Sequence, residues 1–143
     1  MSKENELHQV IVKSLSTHKS VQRTFDFFNN VKNMELGGSI HSLQKNPDGW
    51  YTFDHIIAGR SKMKHTANQE FKILDHIFQG AGLEWNVYVR VHPNGNGSTI
   101  TWTFIKPDGL SDEQFKEQLK SFDSEIDAWR KALERDNNSK PLD

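Results

Sequence analysis

The stretch from Ser111 to Arg135 constrains the fold of this chain more than any other. Phe115, Leu119, Phe122, Ile126, Trp129 and Leu133 recur at spacings of three and four, so a helix places them on one stripe. Ser111 followed by Gln114 is a capping-box start. Asp112 and Glu113 lie at the positive end of the helix dipole, and Arg130, Lys131 and Arg135 at the negative end. Such a helix is roughly 37 Å long at 1.5 Å per residue. A stripe that long, with two phenylalanines and a tryptophan on it, needs a large apolar surface to cover.

The rest of the chain supplies that surface as strands. Leu7–Leu15 is rich in β-branched residues. Val21, Phe25 and Phe28 then have helical spacing, with Ser16, Thr17 and Ser20 as candidate caps, and Val31–Leu36 adds a second short helical piece before Gly37-Gly38. From Ser39 the period changes. Strands are predicted at 40–45, 50–58, 60–68, 70–78, 83–92 and 98–106, with turns at Asn46-Pro47-Asp48-Gly49, Gly59, Gln79–Gly82 and Pro93–Gly97. Alternation is cleanest at Leu83, Trp85, Val87, Val89 and Val91, and at Ile100, Trp102 and Phe104. Hairpin-length turns require an antiparallel sheet, and alternation gives it one covered face. The expected fold class is therefore α+β: a curved antiparallel sheet of about seven strands wrapped round a long C-terminal helix, with two short helices after the first strand. One domain is expected over 1–143, with polar tails at 1–6 and 136–143.

Composition removes several function classes. The chain has no cysteine, so disulfides, thiolate metal sites and cysteine nucleophiles are all absent. The net charge of −1 gives no overall attraction to nucleic acid. The start of the chain is polar, so neither a signal peptide nor a membrane span is expected, and a cytoplasmic location is the default. Nothing points to a homo-oligomer. No Gly-x-Ser-x-Gly, P-loop or His-Glu-x-x-His motif occurs.

The order of elements resembles the helix-grip fold of the SRPBCC superfamily, which includes START domains, polyketide cyclases and the birch-pollen allergen. The resemblance is carried by Lys13-Ser14-Leu15-Ser16 leading to Val21 and Phe25–Phe28, by the Gly97–Phe104 strand, and by the closing helix. Asn68–His76 is similar to the Asn-x-x-Phe-Gly-x-Leu-Asp-His segment of a bacterial polyketide-cyclase-like subgroup, with Lys72 where that pattern has glycine. The resemblance implies a cavity between sheet and helix that holds a small hydrophobic or aromatic molecule, with acid–base chemistry of the cyclase or hydrolase type in some relatives. It implies no cofactor. Others in the superfamily are protein-interaction modules with filled cores, and that alternative stays open.

Candidates to line the cavity, or to fill a solid core in its place, are Phe53, Met63, Trp85, Val87, Trp102, Phe104, Phe122 and Trp129; Phe115, Leu119 and Phe122 are expected nearer the entrance. His55, His65 and His76 fall on three consecutive strands and are candidate general bases or polar ligand contacts. The spacing of the three matches no recognised zinc motif, so no metal is assigned. Asp75 and His76 are neighbours on a strand and must point to opposite faces, so they form no dyad; His65, His76 and Asp75 are the catalytic candidates. An inward carboxylate beside a tryptophan would have a raised pKa.

Overall fold

A computed structural model describes residues 7–135; the two polar tails lie outside the described residues. The elements follow the expected order. Strand β1 (Val10–Thr17) leads to helix α1 (Val21–Asn29) and a 3-10 helix (Val31–Gly37). Six strands follow: β2 (Ile40–Lys45), β3 (Trp50–His55), β4 (Gly59–Asn68), β5 (Ile73–Gly80), β6 (Leu83–Asn94) and β7 (Gly97–Ile105). Helix α2 (Asp112–Arg135) closes the chain. The sheet is antiparallel throughout, in the order β1-β7-β6-β5-β4-β3-β2. This is the helix-grip fold.

Local chemistry explains the helix starts. The Ser20 side chain accepts the Arg23 N–H at 3.1 Å and caps α1. In front of α2 the capping box forms in both directions: Ser111 Oγ accepts the Gln114 N–H at 3.1 Å, and Gln114 Oε1 accepts the Ser111 N–H at 2.9 Å.

Several strand limits move from their sequence expectation, and in each case a turn is the reason. β3 ends at His55, not Ala58, because His55 Nδ1 accepts the N–H groups of Ile57 and Ala58 at 3.1 and 3.2 Å and holds them in a turn. Gly59 then opens β4. β5 starts at Ile73, not Glu70, because Asn68 Oδ1 accepts the Phe71 N–H at 2.8 Å. Pro93 remains inside β6, where Asn94 pairs with Gly97 across a two-residue turn, Gly95-Asn96.

The covered face of the sheet carries Leu15, Trp85, Val87, Val89, Val91, Ile100, Trp102 and Phe104, all buried, against Phe115, Leu119, Ile126, Trp129 and Leu133 of α2. A second buried cluster joins Val31, Ile40, Phe53 and Met63. Gly37 brings the 3-10 helix hard against α2. A methyl group on it would sit 2.8 Å from the Trp129 indole, closer than carbon atoms tolerate.

Candidate functional site: a cavity between sheet and helix

Sheet and α2 do not close completely. Between them lies a cavity of about 170 Å³. Its walls take Met63, His76, Phe78, Trp85, Trp102 and Phe104 from the sheet, and Leu119, Phe122, Glu125 and Trp129 from α2. The 3-10 helix adds Met34. Its accessible end is bounded by Ile57 and Ala58 of the β3–β4 turn, Ala81 of the β5–β6 turn, and Gln118 of α2. Of these, Ile57, Ala81 and Gln118 are exposed, whereas Ile40, Glu125 and Trp129 at the lining are buried.

The candidate residues distribute unevenly. His55, Met63, His76, Trp85, Val87, Trp102, Phe104, Leu119, Phe122 and Trp129 line the cavity. Phe53 and Phe115 do not. Each is fully buried, Phe53 tilted against Phe78 at 5.6 Å between ring centres and Phe115 stacked on Trp85 at 5.7 Å. They form the layer behind the wall. His65 borders a separate void of about 20 Å³, and its Nε2 donates to Asn29 Oδ1 at 3.0 Å.

All three histidines are on the concave face, but they have different jobs. His65 and His76 are direct cross-strand partners. His55 pairs with Gly59, at the far end of β4 from His65, and its Nδ1 is occupied by the turn it holds. Among the described residues no group of three or more histidine, aspartate or glutamate side chains is placed to hold a metal ion. Burial pushes the His76 imidazolium down to about 4, and the charge of His65 adds to the effect. Burial also lowers the pKa of His55 and His65. These imidazoles are therefore neutral near pH 7.

Asp75 faces the other side of the sheet, as its place next to His76 requires. Its Oδ1 accepts the Val89 N–H at 2.8 Å, where the β5–β6 ladder skips from Ile73↔Arg90 to His76↔Val87. The carboxylate stands in for a missing backbone acceptor and has no access to the cavity.

The residue that sequence reasoning missed is Glu125. It is 7 % exposed and borders the cavity, close to the buried Ser39. Burial raises its carboxyl to about 7, against the opposing pull of Ser39. The signal was present. Glu125 is three residues after Phe122 and four before Trp129, so it shares their stripe.

Solved structures share this architecture. The Zhui aromatase/cyclase from Streptomyces sp. R1128 superposes with a TM-score of 0.73 at 7% identity, covering 92% of this chain and 96% of that one. A Thalictrum flavum norcoclaurine synthase point mutant, in complex with a transition-state analogue, gives 0.67 at 16% identity over 90% and 96%. Ara h 8.0201 gives 0.68 at 13% identity over 89% and 98%. All three have the helix-grip fold, and this chain shares it. No family model and no curated protein matches the sequence. Among the described residues no helix is long and apolar enough to cross a membrane.

Proposed function

We propose that the protein binds a small apolar or aromatic molecule in the cavity between sheet and α2, acting in the cytoplasm. The observation that carries this reading is the cavity itself: about 170 Å³, walled by aromatic rings and open at one end. An apolar cavity of about 150 Å³ is enough to hold benzene. The site therefore fits one aromatic ring, and sits below the range of about 300–1,000 Å³ usual for larger ligands. Three ionisable groups border it, His55 and His76 lowered by burial and Glu125 raised to about 7, and of these His76 and Glu125 have no turn to hold. Such a pair supports proton transfer to or from a bound ligand. The open cavity favours this over an interaction module with a filled core. His65 and Asp75 have no place in this reading, since neither borders the cavity.

Trp85, Trp102 and Trp129 line the cavity, so their fluorescence reports on occupancy. Titration with toluene and indole should quench it saturably, and native mass spectrometry should show one added ligand per chain. No quenching and no mass shift with any single-ring or two-ring probe would remove the proposal.

A further inference from the structure

Resting on that reading of the cavity, we infer that it selects a single-ring molecule carrying a protonated amine, with the ammonium at Glu125 and the ring among Trp85, Trp102 and Phe122. The charge pattern of the wall carries this. Among the described residues Glu125 is the one acidic member of the lining, and no lysine or arginine accompanies it there. Ser39 is the side chain that draws its carboxyl back towards the charged form, and no lysine or arginine contributes to that pull.

A carboxylate ligand would meet Glu125 with no counter-charge to offset it, and is rejected. A neutral ligand gains the aromatic contacts and one hydrogen bond at most. An ammonium gains more. The faces of tryptophan and phenylalanine attract cations, most strongly where water is excluded. The usual objection to a buried ion pair is the cost of desolvating both partners. Here folding has already desolvated the carboxylate, so only the amine must lose its water.

Titratable groups facing the cavity are few. Glu125 comes from α2, His55 from the end of β3 and His76 from β5; the 3-10 helix, β4, β6 and β7 contribute none to the lining. Burial lowers both histidines, His76 to about 4, whereas Glu125 is raised into the range of the test and dominates its pH dependence. Below about 7 its carboxyl holds a proton, and an ammonium must displace it. Amine affinity should therefore fall on acidification while neutral ligands are indifferent.

The test is an isosteric series, benzylamine, benzyl alcohol and benzoate, titrated by tryptophan quenching between pH 5.5 and 8. At pH 8, benzylamine should bind tighter than benzyl alcohol by about tenfold, the scale of one desolvated cation–π contact with its ion pair. Benzoate should bind more weakly than either. The benzylamine advantage over benzyl alcohol should shrink towards pH 5.5, and Glu125→Gln should abolish it. If benzyl alcohol binds and benzylamine binds no better at any pH, the inference is overturned and the binding reading stands. The wild-type pH series decides this even if the variant fails to fold. If neither toluene nor any of the series binds, the binding reading falls first and takes the inference with it.

Discussion

Asp75 Oδ1 accepts the Val89 N–H at 2.8 Å across the β5–β6 gap. A carboxylate that looks catalytic in the sequence is thus a repair to the sheet. Asp75→Ala should destabilise the fold by about 1–3 kcal/mol, since it leaves a backbone donor without its charged acceptor. Ligand affinity should not change. Urea unfolding together with toluene quenching checks both halves. Lost binding in a variant of near wild-type stability would contradict the assignment.

The rings of Phe122 and Trp129 meet edge to face, 5.3 Å between centres, and both border the cavity, yet they should respond differently. Trp129 is 3 % exposed, stacks on Trp102, and its indole N–H donates to the Met34 carbonyl at 3.4 Å. Trp129→Ala should cost about 3–5 kcal/mol. Phe122 is only half-buried. Phe122→Ala should cost less and should enlarge the site, raising affinity for naphthalene relative to toluene. Equal destabilisation with unchanged ligand preference would make Phe122 plain core.

Stability should depend on pH through two opposed groups. Glu125 is raised to about 7 from an ordinary 4.5. Between these values the folded chain holds a proton that the unfolded chain has released, so stability falls as pH rises. His76 is lowered to about 4 from 6.5, so between those values the unfolded chain holds the extra proton and stability rises with pH. Each slope is at most about 1.4 kcal/mol per pH unit. Across the overlap the two contributions offset each other, so Glu125→Gln should tilt the slope of stability towards a rise with pH and His76→Gln towards a fall. Chemical denaturation of the three proteins at several pH values in that window would show the slopes; parallel curves would refute the assignment.

Lys72 has a left-handed backbone, φ 57°, at the position where the similar bacterial pattern has glycine. Its ammonium donates to the Gln69 carbonyl at 2.6 Å and lies 5.4 Å from the centre of the Phe25 ring, which offsets part of the strain. Lys72→Ala and Lys72→Gly both lose those contacts and differ only in the Cβ. The glycine variant should be more stable than the alanine variant by about 1 kcal/mol, the cost of a Cβ in that conformation. Thermal denaturation of the pair measures it.

The fold was legible because its two periods are strong. A one-residue slip of register would turn Trp85 and its neighbours outward, so strict alternation from Leu83 to Val91 left one arrangement, and the stripe of α2 demanded a cover. Strand ends were less legible, because His55 and Asn68 stop their strands with side-chain hydrogen bonds that leave no mark in the hydrophobic pattern. The site was half legible. Trp85 and Trp102 follow from alternation, but whether a given aromatic borders space or backs another ring depends on packing, which separates Phe122 from Phe115. Glu125 escaped because a stripe read from its apolar members passes over a carboxylate lying among them.

The pairing of β1 with β7 joins residues as far apart as Val10 and Ile105, whereas β2 to β7 follow one another through short turns. Closing so long a loop costs more entropy than closing a hairpin, and it is rewarded only once β7 has a sheet to belong to. The first strand in the chain is thus the last to join. Leu15, fully buried on β1, should accordingly show a φ-value near zero: Leu15→Ala would speed unfolding and leave the folding rate almost untouched.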